Sequence, residues 1–171
     1  MKQTLTKRIC RAALIAALYV ALTYAFMPFA FGPFQIRPAE ALCLLPLFFP
    51  EAIPALFIGC ALSNLASPYA LYDISIGSLT TLIAAFGSYL VGVYVKKEPL
   101  RFILGGIFPV LLNALIIPII FVFLYEGGEA SAPAYFAGMA SILLTQAVWV
   151  YGLGACVYYP LKRMKNTWLH N

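Results

Sequence analysis

The chain has 171 residues, of which 63% are hydrophobic and 10% are charged, and its mean hydropathy is +0.91. Soluble domains are nearer half apolar and a quarter charged, so this composition excludes a soluble globular protein and predicts an integral membrane protein. A spanning helix needs about 20 apolar residues, so the length accommodates six spans with short loops. We therefore expect one membrane domain, residues 1–171, with no second, soluble domain.

The first apolar segment follows a basic stretch, as in a secretory signal peptide. A convincing small-residue cleavage site is missing, because the segment ends in Phe26, Met27, Pro28 and Phe29. We expect this segment to be retained as the first transmembrane helix.

Hydropathy and proline positions predict an all-α fold, a bundle of six transmembrane helices. In chain order they are Ile9–Phe29, Pro38–Phe49, Glu51–Ala66, Tyr72–Val95, Arg101–Leu124 and Ala134–Leu161. The second is short for a spanning helix, and Pro46, Pro50 and Pro54 crowd its connection to the third. We expect these two to form a broken or tilted hairpin, where membrane proteins tend to build binding sites.

Ten of the eleven lysines and arginines lie in three patches, near the two termini and between the fourth and fifth helices: Lys2, Lys7, Arg8, Arg11, Lys96, Lys97, Arg101, Lys162, Arg163 and Lys165. An even number of spans places all three patches on one side, which the positive-inside rule makes cytoplasmic. Both termini are therefore predicted to be cytoplasmic, and the net charge of +5 fits an anionic leaflet better than nucleic acid.

Motifs for catalysis, metals and nucleotides are missing from the sequence. The four cysteines are scattered singly, which favours buried free thiols, and the one histidine is His170, so we expect no metal, redox site or cofactor. G-x-x-x-x-G-K-[ST] and G-x-S-x-G are absent, so we expect neither an enzyme nor an ATP-binding subunit. Energy for uphill transport has to come from an ion gradient or from partner ATPases.

Arg37 is the one basic residue outside the three patches, and it stands three residues before Glu40 at the start of a long apolar run. A carboxylate facing lipid near the bilayer centre costs about 2.5–3.5 kcal/mol, so Glu40 is expected to face protein, water or a ligand. Two interpretations stay open: an Arg37–Glu40 ion pair that caps a helix, or a ligand-binding carboxylate near the outer surface.

Further polar or aromatic side chains lie in the outer half of the predicted bundle: Asn64, Asp73, Asn113, Gln146 and Trp149. Their shared depth predicts a common cavity with Glu40. Each also has an ordinary alternative as a helix cap, an interhelical hydrogen bond or a core residue. Glu51 follows Pro50 at the inner end and is expected to complement a helix dipole.

The first helix carries overlapping Ala-x-x-x-Ala spacings, formed by Ala12, Ala13, Ala16, Ala17 and Ala21. Small residues four apart allow another helix to approach closely. The partner is either a helix of the same bundle or a separate membrane protein.

The runs QIRPAEALCLLPLFFPEAIPALFIGCALSNL and YDISIGSLTTLIAA resemble the QueT family, and the likeness covers nearly the whole chain. Pro38 and Ala39 stand where Ile and Ser are expected, which spares Glu40. The resemblance implies a substrate-binding (S) component of an energy-coupling factor (ECF) transporter in the bacterial plasma membrane. It also implies a queuosine-precursor ligand, such as 7-aminomethyl-7-deazaguanine, and a coupling protein with two ATPases. The alanine face then becomes the docking surface for that coupling protein.

A guanine-type edge offers adjacent N–H donors and one carbonyl, so a carboxylate such as Glu40 suits it, with Asn113 or Gln146 as amide partners. Trp149, Tyr72 or Phe34 are candidates to stack on the ring, and Asp73 to balance an aminomethyl cation. The alternatives are an S component for another vitamin, a proton-coupled permease that uses Glu40, and a small intramembrane enzyme.

Overall fold

The structure is a computed structural model that describes residues 5–31, 35–124 and 131–169, with side chains to residue 164. Six helices of ten residues or more follow one another in the described chain: α1 (Leu5–Ala25), α2 (Pro38–Leu47), α3 (Ala52–Ala66), α4 (Ala70–Tyr94), α5 (Glu98–Leu124) and α6 (Ala132–Met164, continuing to Leu169). These ranges contain no strand, which confirms the all-α prediction. α1, α4, α5 and α6 are long and apolar enough to cross a membrane, whereas α2 and α3 are shorter apolar helices.

Prolines explain where the observed boundaries differ from the predicted ones. α1 ends at Ala25, and Pro28 opens a separate helical turn, Met27–Ala30. α5 starts at Glu98, before the predicted Arg101, with a proline in its first turn. A proline has no N–H to donate and a fixed φ, so it is favoured in the first turn of a helix and disfavoured further inside.

The central element of the fold is α2, a 3-10 helix whose ten residues are all buried. It packs against α1, α3, α4, α5 and α6. At about 2.0 Å of rise per residue it extends roughly 20 Å, less than the roughly 30 Å hydrocarbon core. The expectation of a short second helix is thus confirmed, and its two ends lie inside the protein.

Small residues allow the outer helices to approach each other and α2. A Cβ atom on Gly59 of α3 would lie 2.9 Å from the Tyr19 Cβ and 3.2 Å from the Ala16 carbonyl oxygen of α1. A Cβ atom on Gly92 of α4 would lie 2.7 Å from the Leu47 carbonyl oxygen of α2. Larger side chains at either glycine would force these helices apart.

Apolar side chains also cover the outside of the bundle, as expected in lipid. On α4, Leu79, Ile83 and Phe86 are exposed, whereas Thr81, Ala84 and Ser88 are buried. This reversal of the pattern of soluble helices, together with the four long apolar helices, makes the chain a multi-pass membrane protein.

The C-terminal end of α2, called the Leu47 end below, is surrounded by ion pairs. Glu51 pairs with Arg11 at 2.7 Å and with Arg8 at 3.5 Å, rather than capping a helix through its side chain. Glu98 pairs with Lys162 at 3.5 Å and lies 3.9 Å from Arg101.

Two further contacts complete the Leu47 end. The Tyr158 hydroxyl donates to Glu98 at 2.7 Å, and the buried Arg101 guanidinium donates to the Leu47 carbonyl oxygen. A cation at the C-terminus of a helix satisfies a free carbonyl and complements the helix dipole. Both carboxylates described at this end, of Glu51 and Glu98, therefore have cationic partners.

Candidate functional site

Glu40 lies in the first turn of α2, and only 2% of its surface is exposed. The Tyr19 hydroxyl of α1 donates to Oε1 at 2.7 Å. The Cys43 thiol and the Asn113 amide both donate to Oε2, at 3.2 and 3.4 Å. Glu40 thus faces protein, as expected of an intramembrane carboxylate, and is enclosed where three helices meet.

The donors around Glu40 are all neutral. No ion pair within 4 Å involves Glu40 in residues 5–31, 35–124 and 131–164. Burying a carboxylate without a cation is costly, and neutral hydrogen bonds offset only part of that cost. Glu40 is thus an acceptor that a positively charged or donor-rich group would stabilise further.

Asp73 is a second fully buried carboxylate, at the start of a π-helical segment in α4, Asp73–Gly77. The Ser67 hydroxyl donates to its Oδ2 at 2.5 Å, and the Asn64 amide donates to its backbone carbonyl at 2.8 Å. The helix begins earlier, at Ala70, so the interpretation of Asp73 as an N-cap is wrong. Asn64 does occupy the C-cap position of Ala52–Ser63. π segments inside α-helices frequently occur at functional sites.

Cys60 of α3 lies between the surroundings of the two carboxylates. Its Sγ accepts from the Asn64 amide at 3.4 Å and from the Thr81 hydroxyl at 3.3 Å. It also packs in the same buried cluster as Tyr19 and Cys43, the residues that hold Glu40. The residues around Glu40 and those around Asp73 are therefore neighbours inside the bundle.

Gln146 of α6 lies at the depth of Asn113. One turn before it, Ile142 packs in a cluster with Ile117, and one turn after it, Val150 packs in a cluster with Val110. Asn113 lies between Val110 and Ile117 on α5, so the two amides occupy the same level of the bundle. Gln146 is 2% exposed, and its Oε1 has no hydrogen-bond partner among the described residues.

Arg37 precedes α2 and is buried, but the Arg37–Glu40 ion pair, one of the two interpretations, does not form in the structure. Its Nε donates to the Ala30 carbonyl at 2.9 Å, and its guanidinium lies 4.9 Å from the centre of the Phe31 ring. Its Nη2 is buried without a hydrogen-bond partner in the described part of the chain. Arg37 therefore keeps one charged donor unused.

Several buried polar atoms of the site have no hydrogen-bond partner within the described chain and are therefore available to a ligand. Five buried side-chain polar atoms lack hydrogen-bond partners among the residues the structure describes. Three belong to the site, Arg37 Nη2 as a donor and Asn64 Oδ1 and Gln146 Oε1 as acceptors, and the other two are Ser78 Oγ and Arg101 Nε. The buried side chains here include two carboxyl groups, of Glu40 and Asp73, and one guanidinium, of Arg37, so acidic groups outnumber basic ones and the arrangement suits a donor-rich, positively charged ligand.

The aromatic candidates have different positions. Trp149 is half-buried in the π segment Val148–Leu153, which packs on α2. Tyr72 is half-buried against Ile117 and its neighbours, next to Asp73. Phe34 lies outside the described residues.

Sequence reasoning missed Tyr19, Cys43 and Ser67, which hold the two carboxylates. Cys43 and Cys60 are buried free thiols as predicted, whereas Cys10 and Cys156 are exposed rather than buried. One signal for Tyr19 was available. Tyr19 and Thr23 are two polar-tipped residues four apart in an apolar helix, and such pairs often hydrogen-bond to neighbouring helices.

The five alanines of α1 divide between two faces. Ala12 and Ala16 pack against the buried cluster around Tyr19, and Ala16 contacts α3 at Gly59. Ala13, Ala17 and Ala21 are exposed. The outward alanines form a narrow, smooth strip on the apolar surface of α1, called the Ala17 strip below.

Among the side chains that the structure describes, no three His, Cys, Asp or Glu residues are grouped as metal ligands. A family model described as "QueT transporter" matches residues 9–163, which include α2, both carboxylates and the Ala17 strip. No curated protein and no solved structure shows significant similarity to the chain.

Proposed function

The chain belongs to the QueT transporter family, and from that premise we propose that it is the substrate-binding S component of an ECF-type ABC importer. It captures a queuosine precursor, a 7-deazaguanine such as the 7-aminomethyl compound, from outside the bacterial plasma membrane. A transmembrane coupling protein with two ATP-binding subunits then drives its delivery inward. The bundle spans the membrane six times, with α2 and α3 as the short pair and both termini cytoplasmic.

The observation that carries the proposal is the buried Glu40 carboxylate with neutral donors only. A carboxylate accepts through about four lone-pair positions, of which Tyr19, Cys43 and Asn113 occupy three. A guanine-type edge needs two positions for its adjacent N–H groups. We expect the ligand to displace the longest of the three contacts, from Asn113, whose amide is then free to donate to the ligand carbonyl.

The unfilled polar atoms supply the remaining contacts. Gln146 Oε1 and Asn64 Oδ1 accept from ring or amino N–H groups, and Arg37 Nη2 donates to a ring acceptor. Asp73 balances the charge of the aminomethyl group. Trp149, Tyr72 or Phe34 stacks on the heterocycle, a contact worth about 1–3 kcal/mol by analogy with base stacking.

The Ala17 strip is the proposed docking surface for the coupling protein, because small side chains allow a partner helix to approach closely. Of the five alanines, we assign Ala13, Ala17 and Ala21 to the partner contact. Ala12 and Ala16 bring α1 against α3 and so support that surface from within.

Binding by the purified chain tests the ligand. We expect saturable binding of 7-aminomethyl-7-deazaguanine and none of common vitamins. Vesicles that contain the chain alone should bind this ligand without accumulating it. Preferential binding of a vitamin would show an S component of another specificity, and ATP-independent uphill uptake by the chain alone would show a proton-coupled permease.

The docking surface is tested with Ala17→Trp and the matched variant Ile83→Trp, which places the same bulk on the exposed face of α4. Ala17→Trp should retain ligand binding and lose transport by the assembled complex, and Ile83→Trp should retain both. Loss of ligand binding in Ala17→Trp would instead show that the strip is needed for internal packing.

A further inference from the structure

Building on the proposed function, we infer that Tyr19 is a positioning residue: its hydroxyl fixes the Glu40 carboxylate in the orientation that receives the ligand. Tyr19 lies on α1, on the face opposite the Ala17 strip, and its side chain is completely buried. Its hydroxyl is 2.7 Å from Glu40 Oε1, the length of a strong hydrogen bond to a charged acceptor.

Tyr19 is the strongest of the three donors to Glu40. A thiol is a weak donor, and the Asn113 contact is long at 3.4 Å. The terminal torsion of a glutamate is broad, so without a strong donor the carboxylate plane is free to rotate. Tyr19 occupies one position on Oε1 and leaves the other for the ligand, so it orients the acceptor without blocking it.

The Tyr19 side chain is itself held in place. Its Cβ packs against Gly59 of α3, where a methyl group would come within 2.9 Å. Its backbone carbonyl accepts from the Thr23 hydroxyl at 2.9 Å. The ring therefore has a fixed axial position, and the position of its hydroxyl follows that of α1. Glu40 is thereby tied to the helix that carries the proposed docking surface.

The chain contains a matched control. Tyr158 is equally buried, and its hydroxyl donates to Glu98 at the same distance of 2.7 Å, but at the Leu47 end of α2. Tyr158→Phe removes the same chemical group from a tyrosine–glutamate bond of the same length, although Glu98 is 36% exposed and Glu40 only 2%. A general loss of packing or stability would appear in both variants, whereas a loss of ligand positioning would appear only in Tyr19→Phe.

The experiment measures affinity for 7-aminomethyl-7-deazaguanine by titration calorimetry in wild type, Tyr19→Phe, Tyr158→Phe, Glu40→Gln and Tyr19→Phe/Glu40→Gln. Tyr19→Phe should weaken binding about five- to tenfold, and Tyr158→Phe less than about twofold. In the Glu40→Gln background the Tyr19→Phe change should fall below about twofold, because a residue that acts through Glu40 loses its effect with the carboxylate.

Three results overturn the inference. Wild-type affinity in Tyr19→Phe shows that the hydroxyl does not orient the carboxylate. An equal loss in both backgrounds shows that Tyr19 acts independently of Glu40. A wild-type chain that binds no 7-deazaguanine contradicts the proposed function and this inference with it, whereas the first two results leave the proposed function standing.

Discussion

Near each end of α2 a tyrosine hydroxyl donates to a glutamate at 2.7 Å: Tyr19 to the enclosed Glu40 at one end and Tyr158 to the partly exposed Glu98 at the other. Around Glu98 the remaining partners are cations, Lys162 and Arg101. Around Glu40 they are a thiol and an amide. The tyrosine–glutamate pair thus has cationic partners within the protein at the Leu47 end. At the Glu40 end no described cation lies within ion-pair distance.

We interpret the difference as one between a carboxylate that stabilises the fold, Glu98, and a carboxylate that binds a ligand, Glu40. An ion pair within the protein stabilises one arrangement of helices and needs nothing else, which suits the end where α1, α5 and α6 are tied to α2. A carboxylate held only by neutral donors retains affinity for a cation or for several N–H groups. Three of the five buried polar atoms without a partner in the described chain belong to Arg37, Asn64 and Gln146, outside the ion pairs of the Leu47 end, whereas Arg101 Nε lies at that end.

The largest expected effect comes from Glu40→Gln. An NH₂ group replaces an acceptor and opposes the ligand's N–H donors, so affinity for 7-aminomethyl-7-deazaguanine should fall about ten- to a hundredfold. Binding titrations measure the change, with Glu98→Gln as the control, because that variant removes a carboxylate from the Leu47 end. An analogue without the 2-amino group should lose less affinity on Glu40→Gln than the full ligand does. Equal losses of affinity in Glu40→Gln and Glu98→Gln would contradict the assignment of ligand binding to the Glu40 end.

Asp73→Asn should have an intermediate effect that depends on the ligand. It keeps the size of the side chain and an oxygen to accept from Ser67 but removes the second negative charge. We expect about a tenfold loss for the 7-aminomethyl compound, corresponding to about 1.4 kcal/mol, and little change for 7-deazaguanine without that group. Parallel titrations of both ligands measure the difference. The same loss for both would mean that Asp73 shapes the site without balancing a ligand cation.

Long helices were predictable from the sequence because their signal, a run of apolar residues, does not depend on what surrounds them. Which side chains of α1 and α2 face each other depends on tertiary contacts. Gly59 determines which alanines of α1 turn inward, and the same crossing carries the Tyr19 hydroxyl to Glu40. The short length of α2 was predictable from its prolines, but its complete enclosure by five helices depends on contacts between residues far apart in sequence.

Glu51→Gln should lower stability and leave ligand affinity unchanged. Glu51 is buried and contacts two arginines, Arg11 and Arg8, whose side chains are 28% and 47% exposed. Because water screens both arginines, the loss should be about 1–2 kcal/mol rather than that of a fully buried pair. Thermal unfolding of the purified chain should shift down by about 2–6 °C. A large loss of affinity without a shift in unfolding would place the Leu47 end in ligand binding.

The smallest effect is expected for Arg8→Gln. Its comparison with Arg11→Gln measures how much each of the two arginine–Glu51 ion pairs contributes to stability. The Arg8–Glu51 contact is longer, 3.5 Å against 2.7 Å, and Arg8 is the more exposed arginine. Arg11 also lies 4.2 Å from the centre of the Phe49 ring, which adds a cation–π contact between α1 and the segment after α2. Exposed pairs contribute about 0–1 kcal/mol, so Arg8→Gln should shift the unfolding temperature by less than about 2 °C, and Arg11→Gln should shift it further. Neither variant should change ligand affinity. Equal destabilisation by Arg8→Gln and Arg11→Gln would contradict this expectation. It would show that the exposed Arg8 contributes as much to stability as the half-buried Arg11.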